Sequence, residues 1–186
     1  AEELAGMYRR RRDIGRSVLS NHGDASRYFV SFLDNHDQYH RIRYVDPADP
    51  TRFDGQVTLA LTLLFSLQGI PCVYYGTEQG LHASGDSLEA VREALWGKPE
   101  AFDRDNPFYQ TIQRLSHTRD SQPALRYGRQ YFRATSADDV HFTISQGGGG
   151  AVAFSRILND REVVVVANPS TTARFGGAVI VDASLN

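Results

Sequence analysis

The sequence has one cysteine, Cys72, one methionine and one tryptophan, and a single lysine, Lys98, among its 20 basic residues. A lone thiol makes no internal disulfide, so the fold does not rest on a disulfide framework, and neither an oxidising nor a reducing compartment is indicated. Long apolar runs are missing too. The longest, around Leu59 to Leu67, is interrupted by Thr62 and Ser66 and is too short to cross a bilayer. Charge of one sign is not in excess: a formal net charge of −2 gives no electrostatic reason to expect nucleic acid or an anionic membrane. There is no Gly-x-Ser-x-Gly elbow, no phosphate loop and no Cys-x-x-Cys, and His22, His82, His117 and His141 lack metal-ligand spacing. Asn168-Pro169-Ser170 is no glycan acceptor, because proline holds its middle position. What is present is the composition of a globular protein, 41% hydrophobic, 11% aromatic and 23% charged over 186 residues, which rules against disorder. The start Ala1-Glu2-Glu3 carries neither an initiator methionine nor a signal peptide, so a segment of a longer protein is expected and localisation is left unassigned.

Leu4, Met7, Tyr8, Ile14 and Val18 recur at near-helical spacing, with Glu2 and Glu3 ahead of Arg9 to Arg12 in the order a helix dipole favours. A loop at Asn21 to Asp24 leads to Tyr28-Phe29-Val30-Ser31-Phe32-Leu33, apolar at nearly every position, as in a strand buried on both faces. Gly55 to Leu67 reads as a helix ringed by apolar residues, stopped by Gly69-Ile70-Pro71, and Cys72 to Tyr75 as a second short buried strand. Helix, strand, helix, strand is the grammar of a parallel α/β protein. Short helices are expected at Leu88 to Leu95 and at Pro107 to Arg119. Beyond Pro123 the grammar changes to five short strands, Arg129–Thr135, Val140–Gln146, Ala151–Ile157, Glu162–Ala167 and Ala178–Val181. Gly147 to Gly150 fits a hairpin connection and Asn159-Asp160 a tight turn, so antiparallel β is predicted there. Two parallel strands make no stable sheet by themselves, so the first part is expected to be the tail of a larger α/β domain.

Asp34-Asn35-His36-Asp37 follows directly on the first strand. The carboxyl ends of strands are where α/β proteins collect catalytic groups, since loops there vary over a rigid scaffold. A carboxylate beside an imidazole at such a place suits vicinal hydroxyls and developing positive charge; a turn built from Asx and His side chains is the competing reading.

Phe32-Leu33-Asp34-Asn35-His36-Asp37 resembles the Asn-His-Asp motif closing the seventh strand of the α-amylase family of glycoside hydrolases. Gly69-Ile70-Pro71-Cys72-Val73-Tyr74-Tyr75-Gly76-Thr77-Glu78-Gln79-Gly80 resembles that family's eighth strand and following loop. The β-rich tail after Pro123-Ala124-Leu125-Arg126-Tyr127-Gly128 is similar to the start of its C-terminal β-sandwich. The resemblance implies residues 1–122 as the C-terminal part of a (β/α)8 TIM barrel, with its last two β/α units, and residues 123–186 as an incomplete antiparallel β domain.

The resemblance also implies roles. Asp37 matches the third catalytic carboxylate, which holds sugar hydroxyls and stabilises the transition state. His36 matches the adjoining substrate-binding histidine, and Asn35 completes the motif, chiefly by orienting the loop. Many relatives carry arginine three residues after the aspartate; here His40 stands there and Arg41 follows, so Arg41 enters as a candidate binding residue by proximity. Tyr75 is a candidate sugar contact; as strand neighbours, Tyr74 and Tyr75 should face opposite ways. Glu78 is expected to have a structural or cleft-wall role. The family's Gly-x-Arg-x-Asp nucleophile pattern is absent, so the fragment is expected to carry the stabilising aspartate without the nucleophile or general acid. The implied reaction is retaining cleavage of α-glucosidic bonds in starch-like glucans or α-glucosides. Transglycosylation or isomerisation by the same machinery, and a non-catalytic binding subunit of the same fold, are the alternatives; the intact Asn35-His36-Asp37 weighs against the last. Calcium is frequent in the family, but no metal residue is assigned. Trp96 is expected to pack the long loop in preference to forming a sugar platform, Arg9 to Arg12 to be a solvated helix surface, and Cys72 to be buried. Self-association of the fragment is anticipated through unpaired strand edges.

Overall fold

The computed structural model describes residues 2–18, 25–99, 101–144, 150–182 and 184. Four helices and seven strands are described: α1 (Glu2–Val18), α2 (Asp54–Ser66), α3 (Pro107–Ser121) and α4 (Pro123–Tyr127), with β1 (Val30–Ser31), β2 (Ile70–Pro71), β3 (Arg129–Arg133), β4 (Thr135–Ser136), β5 (Val152–Leu158), β6 (Arg161–Ala167) and β7 (Ala178–Val179). The chain divides into two compact units, one of Ala1–Phe29, Ser66–Ile70 and Arg119–Asn186, the other of Val30–Phe65 and Pro71–Thr118.

In the second unit α2 and α3 supply the core. Val57, Leu61 and Phe108 are buried against one another, with Leu33, Ile42, Ile112 and Leu115 packed around them. Asp54 opens α2 at its positive end and is gripped by Arg43 through two bonds, Nε to Oδ1 at 2.8 Å and Nη2 to Oδ2 at 3.1 Å. Arg43 also donates to the Gly80 carbonyl at 2.9 Å, tying the start of α2 to the loop after β2.

In the first unit β5 is the centre of an antiparallel sheet ordered β3-β5-β6, with Phe132 opposite Phe154 and Phe154 opposite Val165. Asn159, at a positive φ of 55°, forms the tight β5–β6 turn as expected. Ala5 and Tyr8 of α1 are buried in this unit; Tyr8 stacks at a tilt on Phe132, 6.1 Å between centroids, and its hydroxyl donates to the Gln68 carbonyl at 2.8 Å. Two arginines cap the exit of α2: Arg156 donates to the carbonyls of Ser66 (2.7 Å) and Gly128 (3.0 Å), and Arg119 to those of Leu67 (3.3 Å) and Gly69 (2.6 Å). Cations there meet the negative end of the helix dipole. Arg156 has 0% exposure, and burial pulls its pKa down to about 10.

Several expectations are corrected. Only Val30–Ser31 of the first expected strand forms, the second lies at Ile70–Pro71 and not at Cys72–Tyr75, and Tyr28, Val30 and Phe32 are exposed rather than buried on both faces. A two-stranded pair has no neighbouring strand or layer to cover such side chains. The Ile70 N–H donates to the Phe29 carbonyl (2.9 Å) and the Cys72 N–H to the Ser31 carbonyl (2.8 Å), advancing in the same direction along both segments, the parallel pattern predicted. The chain leaves the strand after Pro71 and turns at Gly76, so Cys72 is exposed. Leu88–Leu95 forms only a 3₁₀ turn at Leu88–Val91. Of the strand expected at Val140–Gln146, the described part makes an isolated bridge from Thr143 to Thr135. The loop expected at Asn21–Asp24 and most of the Gly147–Gly150 hairpin lie outside the described residues.

Candidate functional site

The segment leaving β1 is fixed first by Asp34, a buried carboxylate. Its Oδ2 accepts the Ile42 N–H at 3.0 Å, and the Thr77 hydroxyl donates to Oδ1 at 3.3 Å, so one side chain pins both ends of the loop 35–41 to the turn after β2. Within the loop, Asn35 Oδ1 accepts the Asp37 N–H at 2.8 Å, an Asx turn that presents the next two side chains outward. The turn reading is realised at Asn35.

Asp37 is open to solvent, its side chain 62% exposed, and both of its oxygens have a neighbour. His36 Nε2 lies 3.3 Å from Oδ2, and Arg92 Nη2 lies 3.5 Å from Oδ1. Arg92 also donates from Nε to the His36 carbonyl at 3.2 Å, so the guanidinium holds the loop's backbone and its carboxylate together. Arg92 was not anticipated. It follows the 3₁₀ turn at Leu88–Val91, inside the stretch expected to be a short helix, and that expectation did not aim it at Asp37.

Arg41 and Tyr75 form a separate cluster. The backbone of residues 39–41 runs against 83–85, with Arg41 N–H bonded to the Ala83 carbonyl and Gly85 N–H to that of Tyr39, which turns Arg41 inward. Its buried guanidinium donates to the Tyr75 carbonyl at 2.7 Å and lies 4.1 Å from the centroid of the Tyr74 ring and 5.1 Å from that of Tyr75. Tyr74 and Tyr75 meet edge to face, centroids 4.6 Å apart, instead of facing opposite ways, because the chain is already turning there. Burial, and then the hydrogen bond and charge of Tyr75, push the Tyr74 hydroxyl pKa up. Glu93 lies beside the Arg41 cluster. Burial pushes its pKa up, but the Lys98 ammonium at 2.6 Å, the Ala83 N–H and the charge of Arg41 outweigh this and leave it below the ordinary value.

Glu78 Oε2 accepts the Gly76 N–H at 2.8 Å and so serves its own turn, where Gly76 has φ 86° and a Cβ would meet Leu81. Trp96 does not pack the loop: it is 88% exposed. Among the described residues no group of three or more His, Cys, Asp or Glu could hold a metal ion. No described helix is long and apolar enough to cross a membrane.

No family model matches the chain. It is similar to a cyclomaltodextrin glucanotransferase of Paenibacillus macerans, 31% identical over 162 residues, which is 86% of this chain and 19% of the relative. It is similar also to an alpha-amylase of Niallia circulans, 33% identical over 147 residues, 78% of this chain and 23% of the relative. Among solved structures, the gamma-CGTase of alkalophilic Bacillus clarkii matches with a TM-score of 0.54 and 27% identity, covering 77% of this chain and 18% of that one. The chain thus spans about a fifth of the length of these relatives.

Proposed function

The chain belongs to the α-amylase family of glycoside hydrolases, and we propose that it is the part of a longer retaining enzyme that presents Asp37 to the reacting sugar of an α-glucan or α-glucoside. Residues 1–122 are then the end of the catalytic (β/α)8 barrel and 123–186 the opening of its C-terminal β domain. The observation that carries the reading is the Asp37 carboxylate, solvent-facing at a strand end and held between His36 and Arg92.

A carboxylate offers about four acceptor positions, so with one neighbour at each oxygen Asp37 keeps room for two vicinal hydroxyls. Those bonds strengthen as the ring flattens and positive charge grows at the anomeric carbon, which lowers the barrier more than it tightens ground-state binding. His36 donates to a neighbouring hydroxyl in the same subsite. Arg92 is a positioning residue: it fixes the carboxylate that touches sugar. In this reading Arg41 acts through the Tyr75 carbonyl, leaving the exposed edge of Tyr75 as the sugar contact. The nucleophile and general acid, which a retaining enzyme needs roughly 5 Å apart, come from other parts of the longer protein.

Transfer to a sugar acceptor in place of water is the second reading, favoured by the glucanotransferase among the relatives. Assay of a chromogenic maltoside tests the proposal. The full-length enzyme is expected to turn it over and to lose activity on Asp37→Ala, while the 186-residue chain alone is inert; turnover by the pure chain that is lost on Asp37→Ala, or full-length activity that survives it, contradicts it.

A further inference from the structure

Tryptophan has more apolar surface to cover than any other residue type, yet Trp96 is left in water. At 88% exposure it stands out further than any other large apolar side chain among the described residues. The backbone that presents it is firmly built. Leu95, Trp96, Gly97 and Lys98 form a tight turn closed by the Lys98 N–H on the Leu95 carbonyl at 3.3 Å, with Gly97 at φ 84° in the third place, where a side chain would be strained. The Lys98 ammonium is tied to Glu93 Oε1 at 2.6 Å, and Glu93 Oε2 accepts the Ala83 N–H at 3.0 Å. The Glu93 carboxylate therefore closes the segment 93–98 on itself and fixes it to the chain beside residues 39–41, with the indole projecting from the corner.

The same segment follows directly on Arg92, which lies 3.5 Å from Asp37 Oδ1 and donates to the His36 carbonyl at 3.2 Å. Trp96 is four residues on from Arg92, so their Cα atoms are at most about 14 Å apart. The indole is thus continuous with the Asp37 site but outside the immediate neighbours of its carboxylate. An indole has two apolar faces and one N–H donor at its edge. A pyranose ring matches it, with C–H groups across its faces and hydroxyls around its rim. An apolar polypeptide wall fits less well. Arg92 and Lys98 flank the turn with part-exposed side chains, and such a wall laid over the indole would strip water from both charges. Sugar hydroxyls can hydrogen-bond to those charges instead.

We propose that Trp96 is a stacking platform for a glucosyl unit of the α-glucan beyond the one held at Asp37, an inference that rests on the assignment of Asp37 to the reacting sugar. Steady-state kinetics of the full-length enzyme and its Trp96→Ala and Trp96→Phe variants test it, with maltoheptaose as the long substrate and a chromogenic maltoside as the short one. In Trp96→Ala the KM for maltoheptaose should rise roughly tenfold with kcat held, the signature of lost uniform binding. The loss of kcat/KM should be several times smaller on the maltoside. Trp96→Phe keeps a flat ring and should recover most of the affinity for maltoheptaose. Equal losses on the two substrates would give Trp96 a structural role beneath another part of the protein and overturn the proposal. Unchanged maltoheptaose kinetics in Trp96→Ala, or a Trp96→Phe variant as impaired as Trp96→Ala, also overturns it. Asp37→Asn in the same assay separates the two readings. A collapse of kcat there, with Trp96→Ala unaltered, refutes the platform alone; turnover of neither substrate by the wild-type enzyme refutes both.

Discussion

The two neighbours that hold Asp37 differ in how they are reached. His36 is adjacent in sequence, and a contiguous Asn35-His36-Asp37 after an apolar run could be read directly. Arg92 arrives through tertiary folding from a distant segment, and so could not. Trp96 misled for a related reason: an aromatic in a loop carries no sign of whether anything covers it. In the full-length enzyme Arg92→Gln should lower kcat/KM roughly tenfold through kcat, because the aspartate loses its orientation. Folding stability should change by less than about 1 kcal/mol, since the pair is exposed; steady-state kinetics alongside urea denaturation checks both, and a change confined to KM contradicts the positioning role. Glu93 provides a pH signature. Its folded pKa lies below the ordinary value of 4.5, so its stabilising contribution is present above that pH and is lost as pH falls through the depressed folded pKa. Glu93→Gln should therefore destabilise the protein at pH 7, by about 1–2 kcal/mol, and the difference from wild type should vanish well below pH 4.5. An equal difference at both ends, measured by urea unfolding, contradicts this.

Among the elements, those whose patterns are set by their own burial were legible. α1, α2 and α3 carry helical spacing or a continuous apolar surface, and β3, β5 and β6 appear within a residue or two of their predicted bounds. α4 was hidden because Pro123 reads as a break, although proline is well placed in a first helical turn. β1 was overestimated because its composition anticipates partners that a two-stranded pair does not provide, and the second strand was expected at Cys72–Tyr75, just past its place at Ile70–Pro71, because Pro71 reads as a break. The arginine capping of α2 was likewise invisible, since Arg119 and Arg156 reach the carbonyls of residues 66–69 from distant segments. Arg156→Met should cost about 2–4 kcal/mol, leaving two carbonyls without their donor. Arg119→Met should cost less, and the two losses should not add, because both act on the same helix end. A double-mutant cycle by chemical denaturation checks this; strict additivity with small single effects contradicts the capping account.

At the scale of the whole molecule the exposed apolar residues matter most. Tyr28, Val30, Phe32, Ile70 and Tyr75 are residues of core type left in water. Five such side chains forgo on the order of 7–15 kcal/mol, at about 1.5–3 kcal/mol each, comparable with the stability of a whole domain. The chain by itself should therefore self-associate, or keep only the β-rich region firmly folded. Hydrogen exchange with light scattering checks this: the Ile70 and Cys72 amides should exchange much faster than those of β5 unless the chain associates. A strict monomer protecting all of them equally contradicts it.

If Asp37 serves the transition state, the full-length enzyme carrying Asp37→Asn reveals it in kcat. Replacing one oxygen by nitrogen preserves shape, so the fold should survive. Measured against wild type, kcat should fall by orders of magnitude while the ground-state Kd for substrate changes only a few-fold. Near-normal kcat with a raised Kd would contradict the claim and reduce Asp37 to a binding residue.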